Sequence, residues 1–202
     1  MTVASASEIG ERYGRLREGV GEGVTVVVAT KYVSLEDMAT LAEAGIEVVG
    51  ENRAQDLLAK HERYANGFRW HFIGHLQSNK VKVVNGIVEL VHSLSSDSAA
   101  RRLEVPALLE VDLAGEDTKS GVVPEEIGGF VERYPFIRGL MTMPPLTTDP
   151  ERSRPYFRRL RELALEHGLA ELSMGTSQDY RIAVEEGATL VRVGELLFRE
   201  AP

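Results

Sequence analysis

The sequence contains no cysteine, which excludes disulfide bonds and thiolate metal ligands. No apolar run approaches the roughly 20 residues that a membrane-spanning helix needs, so no membrane partner is expected. The start, MTVASASEIGERYG, has no basic segment followed by an apolar one, so no export signal is expected either. Basic residues are in the minority: 23 Lys and Arg stand against 31 Asp and Glu, for a formal net charge of −8. Neutralising phosphates along a nucleic acid requires clustered Lys and Arg, so no nucleic-acid partner is expected. No apolar surface stripe stands out, which favours a monomer. The expectation is a soluble, cytoplasmic protein. With 202 residues, 43% of them hydrophobic, the chain suffices for one domain, 1–202, with a sizeable core.

What is present is repetition. Runs rich in valine or leucine alternate with helical patterns along the chain. After a helix predicted over 8–18, the run VTVVVA (24–29) reads as a strand buried on both faces, because no polar alternation is left for a solvent side. SLEDMATLAEAG follows as a helix, with Ser34 as N-cap, Asp37 three residues later and Gly45 as its stop. Further strands are predicted at IEVVG, WHFIG, LVHS, PALLEVD, IRGLMTM, ELSMG and TLVRVG. Helices are predicted between them, and a turn within ELLFRE closes the last unit. Strict β-α alternation implies a parallel sheet, and eight repeats favour a closed (β/α)8 barrel over an open doubly wound sheet. The fourth crossover, residues 93–106, has barely room for a helix, since such connections need roughly a dozen residues.

In a barrel of this kind the active face is built from the carboxyl ends of the strands. Lys31, Glu51, Asn52, His75, Ser93, Lys119, Met141, Ser177, Arg192 and Gly194 stand there. Each taken alone is also what a polar rim looks like, and Lys31 alone would mark only where a strand meets water. The last two loops are more specific. Phosphate sites in these barrels use the loops after strands seven and eight together with a helix amino terminus. Here the seventh strand runs into GTSQDY, where Gly175 lets the backbone come close and Thr176 and Ser177 offer hydroxyls. The N–H groups opening the next helix suit an anion, and Gly194 brings another N–H to the same place. Ser177 as a plain N-cap, and Gly175 and Gly194 as ordinary turns, are the competing reading of each residue singly.

Lys31 neighbours strand eight once the barrel closes. A lysine rooted in an apolar wall loses solvation, which lowers its pKa and frees the amine to attack an aldehyde. An amine beside a phosphate clamp is the pairing that pyridoxal 5′-phosphate needs. Arg192 would then reach the pyridine nitrogen. A guanidinium stays protonated, so the nitrogen facing it accepts a hydrogen bond and remains neutral, which makes the ring a poorer electron sink. A surface salt bridge is the alternative for Arg192.

These motifs resemble the pyridoxal-phosphate homeostasis proteins, single-domain relatives of the amino-terminal barrel of alanine racemase. The resemblance runs from VVVATK to VRVGELLF through GENRAQ, WHFIGHLQSNK, TKSG, GLMTM and SMGTS in order. It implies that Lys31 holds the cofactor as an aldimine. It further implies that Ser177 and the Gly194 backbone hold its phosphate, that Arg192 faces the ring nitrogen, and that Asn52 and His75 line the pocket. Lys119 matches a loop lysine that could pick up or pass on the cofactor, a solvated loop lysine being the alternative. His71 and His75 fall on a strand and the loop after it, which does not suit a metal. Three departures stand out. Glu195 replaces a small hydroxyl residue beside the phosphate, Val33 replaces a second lysine, and the fourth crossover is short.

Racemisation needs an acid/base on each face of the substrate carbon. In the racemases that the barrel resembles, the second group comes from a separate β-domain, and the eight residues after Gly194 are too few for one. The expectation is therefore a non-catalytic protein that buffers or delivers pyridoxal phosphate, with apo-enzymes as recipients and effects on amino-acid and keto-acid balance. The alternatives are a slow racemase and a Schiff-base aldolase working through Lys31 without the cofactor.

Overall fold

The alternation closes on itself. In the computed structural model, which describes residues 4–115 and 120–198, the strands are β1 (Thr25–Ala29), β2 (Val48–Glu51), β3 (Arg69–Phe72), β4 (Leu90–Leu94), β5 (Ala107–Glu110), β6 (Ile137–Met141), β7 (Glu171–Ser173) and β8 (Leu190–Val193). Each pairs in parallel with the next, and β8 returns to β1 through Thr25↔Leu190, Val26↔Val191, Val27↔Arg192 and Val28↔Val193, making a closed barrel in sequence order. The helices are α1 (Ala6–Val20), α2 (Met38–Glu43), α3 (Ala54–Tyr64), α4 (Val81–Asn85), α5 (Asp97–Ala100), α6 (Ile127–Arg133), α7 (Arg154–Glu166), α8 (Tyr180–Glu185) and α9 (Glu195–Phe198).

The continuous apolar strands are explained by two separate cores. Successive side chains of a strand point to opposite faces, so Val26 and Val28 pack outward against the helices. Val27 points into the lumen, where it meets Val48, Leu90, Leu108, Met141 and Leu190. At about 1.5–3 kcal/mol for each fully buried aliphatic side chain, this inner layer makes the lumen a packed plug rather than a pore.

Local chemistry sets the element ends. Ser5 and Glu8 form a reciprocal capping box, which starts α1 two residues earlier than the sequence pattern predicts. Ser34 does not cap α2. Its hydroxyl accepts from the Asp37 N–H at 3.1 Å and donates to the Asp37 carboxylate at 2.8 Å, closing a turn ahead of a helix that begins at Met38. The tight fourth crossover is met by α5, a single four-residue turn capped by the Ser96 hydroxyl.

Two glycines hold the chain where the last loops meet the barrel. Gly175 has φ +92°, and a Cβ there would lie 2.5 Å from the Ala183 Cβ on α8. At the seam between β8 and β1, a Cβ on Gly194 would lie 3.1 Å from the Ala29 carbonyl oxygen.

Candidate functional site

A cavity of about 340 Å³ opens at the carboxyl ends of the strands, over the seam between β8 and β1. It gathers Lys31 and Asn52 from beyond β1 and β2, Thr176 and Ser177 from beyond β7, and Arg192 and Gly194 from β8 and its end. Two predicted site residues are not on its wall. His75 is exposed in the loop after β3, where the cavity takes Ile73 instead. Gly175 sits one residue short of the wall, its role being the turn just described. Lys119 lies outside the described residues.

Lys31 is exposed at the mouth, with its Nζ 4.7 Å from the centre of the Tyr32 ring. The apolar wall predicted to strip water from the amine therefore does not surround it in this open cavity. What fixes the lysine is the backbone behind it. Lys60 on α3 is buried and donates to the Thr30 carbonyl oxygen at 2.8 Å and to the Glu51 carboxylate. Glu51 also accepts from the Thr30 hydroxyl at 2.7 Å and the Asn52 N–H at 3.2 Å. This ion pair ties Thr30 and Glu51 together, so the residues that follow them, Lys31 and Asn52, enter the cavity from one anchored point. Asn52 carries a buried Oδ1 with no hydrogen-bond partner among the described residues. An orphaned buried acceptor carries a penalty of about 1–3 kcal/mol, which a donor in the cavity would relieve.

The anion-suited end differs in detail from the sequence expectation. Helix α8 opens at Tyr180, three residues beyond Ser177, and the Thr176 N–H and hydroxyl both turn to the Asp179 carboxylate, at 2.7 and 3.0 Å. The Thr176 hydroxyl is thus occupied by the loop itself. Two further backbone N–H groups come from the other side. Gly194 N and Leu196 N, at the start of α9, both point at the Ser177 Oγ at 3.4 Å. These bonds are long, and the hydroxyl oxygen sits where an anionic oxygen would draw both donors more strongly. The contribution of Leu196 was not legible, because ELLFRE reads only as a closing turn. Glu195, in the same turn, is exposed and lines the cavity.

Arg192 is buried rather than on the surface. Nη1 donates to the Ser173 carbonyl oxygen at 2.9 Å and to the Ser173 hydroxyl, and Nη2 donates to the Thr142 carbonyl oxygen at 3.1 Å. Burial pulls its pKa down to about 10, against the opposing fields of Glu110 and Asp179, so it remains a cation at neutral pH. Three bonds draw on at most three of the five guanidinium N–H donors, leaving at least two without a partner among the described residues. Glu110, on β5, accepts from the Ser120 hydroxyl at 2.8 Å, and burial pushes its carboxyl pKa upward.

The sequence reading missed the polar lumen beneath Arg192. His71 Nδ1 lies 2.9 Å from His92 Nε2, and His92 Nδ1 lies 2.7 Å from the Ser173 Oγ. The signal was the two-residue alternation of the strands, which puts His71, Leu90, His92, Ser173 and Arg192 on inward faces. The apolar character of the runs hid it.

No family profile matches the sequence. The chain is 41% identical to the pyridoxal phosphate homeostasis protein of Aquifex aeolicus, with 96% of each chain covered. Among solved structures it is similar to PipY of Synechococcus elongatus PCC7942, at 31% identity and a TM-score of 0.88 without PLP, over 95% of this chain and 100% of that one. The PLP-bound form of PipY superposes with a TM-score of 0.86 at 30% identity, over the same shares of the two chains. The lysine/ornithine decarboxylase of Vibrio vulnificus shares the fold alone, at 15% identity and a TM-score of 0.70, covering 96% of this chain and 62% of that one.

Proposed function

The chain belongs to the pyridoxal phosphate homeostasis protein family, and from that premise we propose that it binds pyridoxal 5′-phosphate through Lys31 and holds it for delivery rather than for turnover. When bound, the cofactor supplies an electrophilic aldehyde, an anionic tail and a ring nitrogen. The observation that carries the reading is that one cavity of about 340 Å³, at the lower end of the roughly 300–1,000 Å³ usual for small-molecule sites, offers a group for each of the three.

The primary amine of Lys31 stands exposed at the mouth, where it would meet the aldehyde. Ser177 with the N–H groups of Gly194 and Leu196 gives the anion two backbone donors and a hydroxyl. Among the described residues, Arg192 has N–H donors to spare for a ring nitrogen and Asn52 lacks a partner for its Oδ1. Glu195 lines the same cavity, and its negative charge opposes an anion there.

Two features favour holding over turnover. A ring nitrogen that faces a guanidinium has no proton delivered to it, so the ring draws electrons weakly. An amine exposed to water at the mouth would also leave a held aldehyde within reach of water. The protein is accordingly proposed to buffer or hand over the cofactor to apo-enzymes that need it, with consequences for amino-acid and keto-acid balance.

The test is transfer. Cofactor-loaded protein mixed with an apo-form of a pyridoxal-phosphate enzyme should restore that enzyme's activity, while the loaded protein alone should leave D- and L-alanine unchanged. Turnover of either alanine that disappears in Lys31→Ala would overturn the carrier reading in favour of a racemase.

A further inference from the structure

Four inward-facing side chains join the cavity to the opposite end of the barrel. From Arg192 the contacts run to the Ser173 hydroxyl, then at 2.7 Å to His92 Nδ1, and from His92 Nε2 at 2.9 Å to His71 Nδ1. His92 and Ser173 are fully buried, and His71 and Arg192 nearly so. His71 ends the chain at a second cavity, of about 290 Å³. That cavity lies at the amino-terminal mouth, since Thr25, Arg69, Leu90, Glu171 and Leu190 on its wall are the first residues of their strands.

The chemistry of the groups fixes the direction of every bond in this chain. A guanidinium only donates, so the Ser173 oxygen must accept from Arg192. The Ser173 proton then needs an acceptor of its own, and among the described residues that acceptor is His92 Nδ1. His92 therefore carries its proton on Nε2 and gives it to His71 Nδ1, which leaves the His71 proton on Nε2. The reverse order would have His92 Nδ1–H donate to the Ser173 oxygen and would strand the serine proton in the interior without an acceptor. A buried polar group left unpaired disfavours that arrangement roughly tenfold or more.

We propose that His71, His92 and Ser173 are positioning residues, a one-way hydrogen-bond chain through the barrel lumen that holds the Arg192 guanidinium in the orientation it presents to the ring nitrogen of the cofactor. The proposal rests on the reading of Arg192 given above. It goes beyond that reading by assigning a role to three residues that touch no part of the cavity. Both histidines are kept neutral, burial being the first cause for each. The fields of Arg69 on His71, and of His71 and Arg192 on His92, push the same way. Neutral rings are what the chain requires, because an imidazolium donates from both nitrogens and would face another donor at Ser173 or at its partner ring.

Two measurements test it. Nitrogen-15 spectra of the histidine rings in cofactor-free protein at neutral pH should show the Nε2–H form for both His71 and His92. A proton on His92 Nδ1, or a charged ring at either position, overturns the chain. Cofactor titrations are then compared for His92→Leu and His92→Asn, since the asparagine Oδ1 can accept the Ser173 proton where histidine Nδ1 did. His92→Leu should weaken binding about tenfold, the worth of one well-placed hydrogen bond to a charged group, and His92→Asn should restore it to within about twofold of the parent. Equal affinity in the parent and His92→Leu overturns the positioning role. Equal loss in both variants overturns it too, since it marks a packing role. Failure of the cofactor reading itself looks different: the ring spectra come out as expected, but the parent protein forms no covalent adduct on Lys31.

Discussion

Breaking the buried pair behind the lysine should damage the fold and the site together. Lys60→Met keeps most of the length of the side chain and removes its charge. In the parent, the side chains of Lys60 and Glu51 are 7% and 0% exposed. The Glu51 carboxylate would keep the Thr30 hydroxyl and the Asn52 N–H and lose its buried counter-charge. Removing one partner of such a pair costs about 3–5 kcal/mol, because the remaining charge is left in a medium that solvates it poorly. In a chain of this size about 2–4 °C of midpoint accompanies each kcal/mol, so the thermal transition should fall by on the order of 10 °C. Urea unfolding at neutral pH measures the loss directly, with an unchanged slope showing that the unfolded state is the same. The double variant Glu51→Gln/Lys60→Met, which removes both charges, should lose less than Lys60→Met alone. A single variant that loses under about 1 kcal/mol, the range of exposed pairs, would refute the account of this anchor. The Thr30 carbonyl would also be released, so the same variant should bind pyridoxal phosphate more weakly than the parent even where it is fully folded.

Other expectations concern the anion end and the lumen. Ser177→Ala removes a hydroxyl from an anion site, and a hydrogen bond to a charged group is worth about 1.5–3 kcal/mol, so pyridoxal phosphate should bind about tenfold to a hundredfold more weakly, with pyridoxal itself little affected. Glu195→Gln takes a negative charge off the cavity wall and should tighten phosphate binding, the gain shrinking as salt is added; an unchanged affinity at low salt would mean the carboxylate is turned away. His71 is held down to about 4 from an ordinary 6.5, and His92 is lowered as well. Between those values the unfolded chain binds more protons than the folded one. The stability is therefore full above pH 6.5 and falls as pH drops through the window toward 4, by up to about 3 kcal/mol from His71. Urea midpoints at pH 7 and pH 5 check this, and the fall should be smaller in His71→Phe.

Much of this molecule was legible because its strands speak plainly. VTVVVA has no polar side, so it had to be buried on both faces, and eight such runs separated by helices leave little but a closed barrel. Lys31, Asn52, Ser177, Arg192 and Gly194 were legible for a related reason: each stands just past an apolar run, and barrel closure brings the first and last strands together. The errors came where one short-range interaction decides. Ser34 and Asp37 satisfy each other in a turn, so α2 starts after Asp37, whose side chain does not cap it. Asp179 claims the Thr176 hydroxyl and N–H, which moves the anion donors to α9. His75 follows a strand that aims Ile73 at the cavity, and the next residues carry the imidazole outward. The lumen chain was hidden by its own setting, because a histidine within LVHS or WHF reads as one polar residue in an apolar strand until its inward partners on β7 and β8 are known.

The central claim is that the Lys31 amine takes the cofactor's aldehyde. Parent protein incubated with pyridoxal phosphate, reduced with borohydride, digested and weighed should carry one cofactor mass on the peptide containing Lys31, and Lys31→Ala should carry none. An adduct on any other lysine, or the same labelling in both proteins, would contradict the account.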